Sequence, residues 1–145
     1  MAEGQRITPM LSYEDGAAAI AWLCDAFGFE EVFRLAGEDG RIGHAELRLE
    51  GASVFLAAPT PEYRSPRHVA ETSEDVRRYR EVPYVIDGVH VVVSDVDAHF
   101  RRAKEAGATL LSEPEDQSYG ERIYRAEDLE GHRWMFAQPI ASGDS

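Results

Sequence analysis

Two histidines and one carboxylate are the residues of this chain with the clearest potential for chemistry. His44 and Glu46 are two positions apart, so in a strand their side chains share one face, and His90 lies in a second apolar segment. Two imidazoles and a carboxylate can bind iron or zinc and leave coordination positions open. They can also act as acid and base without a metal, or simply line a solvated face.

Tyr119 and Arg122 form a second candidate group. An arginine near the start of a strand can hold a carboxylate or stack on an aromatic ring, which would make both residues ligand contacts. The alternative is an ion pair between Arg122 and Glu113, Glu115 or Asp116. The sequence has no Gly-x-Ser-x-Gly nucleophile turn, no phosphate-binding glycine loop and no Cys-x-x-Cys pair.

Two blocks of sequence occur twice in the same order. Residues 41–46 are echoed by residues 122–127, and residues 49–57 are echoed by residues 129–137. Two matched blocks in the same order indicate two copies of one supersecondary unit. His44, Glu46 and Arg122 lie within these blocks, so the unit determines where their side chains are placed.

The first half of the chain predicts a βαβββ unit. Asp15 can cap a helix from Gly16 to about Phe27, which Gly28 would end. Pro9 places the first strand near a sheet edge. Alternating and apolar segments predict the strands, at residues 7–13, 29–35, 42–49 and 53–57.

The second half repeats this order. Its helix begins at Asp95 or Asp97 and ends at Gly107, and its strands are predicted at residues 89–93, 108–111, 122–127 and 133–137. The proline-containing connection is either a lid or a crossover. We expect one compact α+β domain made of a first module, a connecting segment, a second module and a frayed tail, at residues 1–57, 58–87, 88–140 and 141–145.

Composition excludes several classes of protein. The formal net charge of -12, with only short basic clusters, argues against binding to nucleic acid. No apolar stretch approaches the roughly 18 residues of a membrane span, and the first residues lack the apolar core of a signal peptide. With Cys24 as the single cysteine there is no disulfide framework. We therefore expect a cytoplasmic protein.

The chain resembles the vicinal oxygen chelate superfamily, which includes glyoxalase I, bleomycin-resistance proteins and extradiol dioxygenases. The resemblance is carried by residues 7–11 with the following helix, by residues 88–97, and by residues 119–122 leading to 128–136. It implies that the sheets of the two βαβββ modules curl around a shared cavity.

Strand alternation then predicts which side chains face this cavity. The residues expected on the core side are Leu47, Leu49, Val54, Leu56, Val89, Val91, Val93, Trp134 and Phe136. The opposite face of the sheets receives His44, Glu46, Arg48, Phe55, His90, Arg125, Glu127 and Met135.

The resemblance also implies where metal ligands would stand. Metal-dependent relatives take them from the first and last strands of each module, and the matching positions here are Thr8, Phe55, Gly88 and Met135. None is a good ligand for a divalent cation, so we expect no metal and no other cofactor.

We therefore expect a metal-free protein that sequesters a small molecule, similar to bleomycin-resistance proteins, and that forms a homodimer. The net charge favours a cationic ligand, and the apolar positions favour an aromatic one. The expected ligand-binding residues are His44, Glu46, Phe55, His90, Tyr119, Arg122 and Met135. The alternatives are a glyoxalase-like lyase or dioxygenase with a relocated metal site, and a non-catalytic oligomerisation module.

Overall fold

The first half of the chain folds into the expected βαβββ unit. The computed structural model describes residues 5–141, so most of the tail expected to fray lies outside the described residues. The Asp15 side chain accepts a hydrogen bond from the Ala18 N–H, and Gly28 ends the helix with a φ of 81°. The elements are β1 (Met10–Ser12), α1 (Gly16–Phe27), β2 (Glu30–Ala36), β3 (Ile42–Leu49) and β4 (Ala52–Ala57).

These strands form a sheet in the order β1-β4-β3-β2, with β1 parallel to β4 at one edge. The edge position expected from Pro9 is confirmed, but β1 is shorter than the predicted strand at residues 7–13. Proline has no N–H to donate to a ladder. Its carbonyl still accepts a hydrogen bond of 2.9 Å from the Phe55 N–H, so the segment before β1 follows β4.

The second half contains α2 (Pro66–Thr72), α3 (Glu74–Tyr79), β5 (Gly88–Val92), α4 (Val96–Glu105), β6 (Thr109–Leu110), β7 (Glu115–Asp116), β8 (Glu121–Glu127) and β9 (Arg133–Pro139). The sheet has the order β5-β9-β8-β6, and β7 also pairs with β8. Asp95, and not Asp97, caps α4. The predicted strand at residues 108–111 shrinks to the short β6, and β7 was not predicted.

The connecting segment is ordered by two short helices that we did not predict. Ser65 and Ser73 cap α2 and α3, and Pro66 occupies the first turn of α2, so the local signals were present in the sequence. The segment lies on the turn between β8 and β9, where the Arg67 N–H donates to the Glu130 carbonyl. An added Cβ on Gly131, whose φ is 94°, would stand 2.8 Å from the Arg67 nitrogen, so this close approach requires glycine.

A single hydrophobic core is shared by both modules. Most residues expected in the core from strand alternation are buried: Leu47, Val54, Leu56, Val91, Val93, Trp134 and Phe136. Leu49 and Val89 are only partly buried and pack against this core. Phe27 at the end of α1 packs edge-on against Trp134 and Phe136, with ring centroids 5.6 Å and 4.7 Å away. The core therefore holds the two sheets in a fixed relation.

His99 contributes a polar bridge within this core. It had no assigned role from sequence, yet its Nε2 donates to the Phe27 carbonyl at 2.7 Å and its Nδ1 accepts from the Tyr124 hydroxyl at 2.5 Å. Burial lowers the pKa of His99, so the folded protein favours the neutral ring that this arrangement needs.

A buried carboxylate joins the start of α1 to the turn between β8 and β9. Asp128 has no exposed surface, and its Oδ2 accepts from the Tyr13 hydroxyl at 2.6 Å and the Trp134 indole N–H at 3.1 Å. Its Oδ1 accepts from the backbone N–H groups of Glu130 and His132, both at 3.0 Å. We call this set of side chains and N–H groups the Asp128 cluster. Burial, and then the Asp128 charge, raise the pKa of Tyr13 well above its usual value.

Neighbouring contacts extend the same junction. The Glu130 carboxylate accepts from the N–H groups of Glu14 and Asp15 at 2.7 and 2.9 Å, and the His132 Nε2 donates to the Ser12 carbonyl at 2.7 Å. The turn after β8 is thereby fastened to the chain between β1 and α1.

None of the helices within residues 5–141 is long and apolar enough to cross a membrane.

The Asp128 cluster predicts a stability defect in a conservative variant. Tyr13→Phe removes the hydroxyl but keeps the ring, and we expect the free energy of unfolding to fall by about 1.5–3 kcal/mol because a charged acceptor loses a buried donor. Urea unfolding measures this. Tyr84→Phe is the control, since Tyr84 is 73% exposed. An equal effect of the two substitutions would show that the cluster does not stabilise the fold.

The buried His99 predicts a pH dependence of stability. Unfolded histidine takes up a proton near pH 6.5, whereas the folded residue has a lowered pKa and resists it. Its stabilising contribution is therefore present above about pH 6.5 and is lost as the pH falls towards the lowered pKa. Unfolding free energies of wild type and His99→Gln between about pH 7.5 and about pH 5.5 should show a smaller pH slope in the variant. Identical slopes would contradict this role.

Candidate functional site

A cavity of about 980 Å³ lies between the two modules, and we call it the cleft. One wall comes from the segment before β1 and from the β3–β4 hairpin, and the other comes from β5. The lining residues are Arg6, Ile7, Thr8, Pro9, Phe29, Glu46, Arg48, Gly51, Ala52, Ser53, Val54, Phe55, Gly88, Val89, His90, Val91 and Trp134.

The wall of the first module contains Glu46 and Phe55 of the expected site residues, and His44 contacts both without lining the cleft. Glu46 and Phe55 are direct partners in adjacent strands, and both line the cleft. The His44 Nε2 lies 2.9 Å from a Glu46 carboxylate oxygen, and the His44 ring stands edge-on to Phe55 with centroids 5.0 Å apart. This wall therefore combines an aromatic surface with an acidic group that already has a partner.

The wall of the second module carries His90 and Met135, which are partners in the parallel β5–β9 pair. His90 lines the cleft, and its Nε2 lies 3.0 Å from a Glu121 carboxylate oxygen. Met135 lines a second, smaller cavity of about 50 Å³, which we call the side cavity, under the end of the connecting segment at Pro83, Tyr84 and Ile86. Gly88 and Trp134 line both cavities, so the two adjoin.

Tyr119 and Arg122 are not brought to the cleft. Tyr119 is 66% exposed, next to the start of β8. Arg122 lies on the same face of β8 as the buried Tyr124, and its guanidinium donates to Asp97 and Asp116, both at 3.0 Å. The hydrogen bonds to Asp116 and Asp97 raise its pKa. Arg122 therefore forms an ion pair and does not contact the cleft. The reason is that alternation along β8 places the side chains of residues 122 and 124 on the face that packs against the helices.

The donor atoms near the cleft do not fit the superfamily's metal site. Thr8, Phe55 and Gly88 line the cleft, and they offer at most one hydroxyl oxygen. The set of His44, Glu46 and His90 is not assembled either, because His44 pairs with Glu46 and His90 pairs with Glu121. Among residues 5–141, no three His, Cys, Asp or Glu side chains form a group that could hold a metal ion.

Some lining residues were missing from the expected site. Arg48 lies on the cavity face as alternation predicted, and it lines the cleft, but nothing in its neighbours marked it as a contact. Arg6 and Ile7 line the cleft because the chain before β1 follows β4. Arg125 lines the side cavity beside Met135, its partner in the β8–β9 pair. Alternation placed Arg125 on this face, but only the three-dimensional arrangement shows which cavity it lines.

The chain is similar in sequence and in structure to known proteins. An uncharacterised protein of Mycobacterium tuberculosis is 37% identical over 134 residues, which cover 92% of this chain and 74% of that protein. The crystal structure of TioX from Micromonospora sp. ML1 has a TM-score of 0.67 and 32% identity, covering 94% of this chain and all of TioX.

TnmS3, an antibiotic binding protein from Streptomyces sp. CB03234, has the same fold with a TM-score of 0.65 and 21% identity, covering 96% of this chain and 98% of TnmS3. The model of the Glyoxalase/Bleomycin resistance protein/Dioxygenase superfamily matches residues 7–136, which include both modules and the segment between them. Together with the paired βαβββ units, this match shows that the chain belongs to the Glyoxalase/Bleomycin resistance protein/Dioxygenase superfamily.

Proposed function

We propose that this protein binds and sequesters a small molecule of the antibiotic type in the cleft, without a metal. One observation carries the proposal: Phe55 and Gly88, which stand at positions where the resemblance implies metal ligands, line a cleft of about 980 Å³. A cavity of this size accommodates an organic molecule larger than a typical metabolite. The ring of Phe55 can contact an apolar ligand, but it has no atom that coordinates a metal ion.

The cleft walls offer both apolar surface and several polar groups to a ligand. Phe29 and Phe55 supply apolar contact, while Glu46, Arg48 and His90 supply polar and charged groups. Burial of apolar surface on a ring contributes affinity, and the polar groups fix the orientation of the ligand. The net charge of -12 adds a weak long-range attraction for cations.

The similarity to TnmS3 supports this proposal through the shared fold, since that protein is an antibiotic binding protein. We extend this to the present chain as a hypothesis and use a bleomycin-type glycopeptide and planar aromatic antibiotics as the first compounds to test. The cleft, and not the identity of the relative, selects these compounds.

We expect Phe55→Asp to weaken binding of every ligand that enters the cleft by about tenfold or more, because it removes the aromatic wall and adds a charge beside Glu46. Calorimetric titration of the antibiotic panel measures the change. Val69→Asp is the matched control, since Val69 is a 36% exposed apolar residue of α2 that does not line the cleft. Binding that survives Phe55→Asp would place the site elsewhere.

The same titrations are repeated after dialysis against EDTA, with the metal content of the protein measured by elemental analysis. Unchanged affinity and less than stoichiometric metal are the expected results. Turnover of a methylglyoxal–glutathione adduct on addition of metal would instead favour the glyoxalase-like lyase. About one metal ion per chain that is lost on His44→Ala would favour the relocated metal site.

We further propose that the protein is a homodimer. The edge strands β1 and β2 bound one sheet, and β2 carries exposed Val32, Phe33 and Leu35, whose burial against a second copy would be favourable. Sedimentation equilibrium should give twice the chain mass of 16.2 kDa at micromolar concentration. A monomer at all concentrations would contradict the proposal.

A further inference from the structure

The Nε atom of Arg125, on the cavity side of the second module, is buried without a hydrogen-bond partner among the described residues. The Arg125 side chain also forms no ion pair within residues 5–141. A buried donor without a partner costs free energy, so such an atom calls for an explanation in a partner that is not part of the chain.

The carboxylate of Glu127, two residues after Arg125 in β8, already pairs with two other arginines. Glu127 is 7% exposed, and its two oxygens pair with Arg80 at 3.0 Å and with Arg133 at 2.9 Å. The remaining nitrogens of Arg133 donate to the Val82 and Arg80 carbonyls. Two arginines thus saturate Glu127 and leave the charge of Arg125 without a counterion, in a protein whose overall net charge is -12.

The position of Arg125 connects it to the cleft. Arg125 is the direct β8 partner of Met135, and Met135 is the direct β9 neighbour of His90, which lines the cleft. Arg125 also lines the side cavity, which shares Gly88 with the cleft. The side cavity, at about 50 Å³, has room for a carboxylate group.

We propose that Arg125 binds a carboxylate of the ligand in the side cavity while the apolar body of the ligand lies in the cleft. A guanidinium matches a carboxylate with two parallel N–H groups, which fixes both the position and the orientation of the acid. The proposal rests on the proposed function, and it defines the ligand class as an aromatic or apolar acid.

The first module offers the opposite charge at the equivalent strand position. Glu46 is the β3 partner of Phe55 just as Arg125 is the β8 partner of Met135, but Glu46 is already paired with His44. The first module also presents Arg48 to the cleft, so its wall carries both charges, whereas Arg125 in the side cavity is a basic group without an acidic partner among the described residues. We therefore expect the acid of the ligand to be held at Arg125.

The test uses a matched pair of probes, anthracene-2-carboxylate and anthracene-2-carboxamide, whose fluorescence reports binding. They have nearly the same size and shape and differ in charge. The proteins are wild type, Arg125→Met, Arg125→Lys and Phe55→Asp, all as full chains. We expect Arg125→Met to weaken the carboxylate by about tenfold and to change the carboxamide by less than about twofold. Arg125→Lys should retain part of the preference for the carboxylate over the carboxamide, because lysine keeps the positive charge but lacks the two parallel N–H donors of a guanidinium.

Thermal unfolding separates this role from a structural one. Because the guanidinium Nε has no partner in the chain, Arg125→Met should leave the melting temperature unchanged or raised. A large loss of stability would show that Arg125 holds the fold together and would overturn the proposal. Equal loss of both probes on Arg125→Met would also overturn it.

The same experiment distinguishes failure of this inference from failure of the proposed function. If both probes bind wild type, both are weakened by Phe55→Asp, and neither is weakened by Arg125→Met, the cleft binds ligands and Arg125 has no part in it. If neither probe binds wild type at millimolar concentration, the cleft is not a site for aromatic molecules, and both proposals are wrong.

Discussion

The relation between the two modules depends on one buried charge, the Asp128 carboxylate. It accepts hydrogen bonds from Tyr13, Trp134 and two backbone N–H groups, which is close to the full capacity of a carboxylate. Removing such a charge from water is costly unless every oxygen is satisfied, so each of these donors must be in place. Together with the shared hydrophobic core, this junction holds the chain between β1 and α1 against the turn between β8 and β9.

Local signals in the sequence determined the first module well. Asp15, Gly28 and the apolar spacing between them specify α1 at both ends, because caps and periodicity act within a few residues. Alternation correctly assigned the buried and cavity faces of β3, β4 and β9, since side-chain direction in a strand follows position alone. The same rule, applied to β8, would have removed Arg122 from the expected site.

Other features could not be obtained from sequence, because they depend on contacts between distant residues. The sequence repeat aligns Glu46 with Glu127, but strand pairing makes Arg125 the structural counterpart of Glu46. The difference arises in the connection between the paired strands, which is residues 50–51 in the first module and residues 128–132 in the second, where Asp128 turns inward to Tyr13. The pairing of Glu127 with Arg80 and Arg133 likewise depends on how the connecting segment docks. Because Arg80 and Arg133 occupy the Glu127 carboxylate, Arg125 does not form an ion pair with it.

The distance along the chain between the partners of the Asp128 cluster has a consequence for synthesis. Tyr13 and Asp128 are separated by 115 residues, so on a ribosome that adds about 5–20 residues per second the first partner waits roughly 6–23 s for the second. During this interval the turn after β8 that later contacts the chain between β1 and α1 does not exist. The nascent first module must therefore remain soluble with an unsatisfied tyrosine hydroxyl and an uncovered sheet edge, which makes it a natural client for chaperones that bind emerging chains.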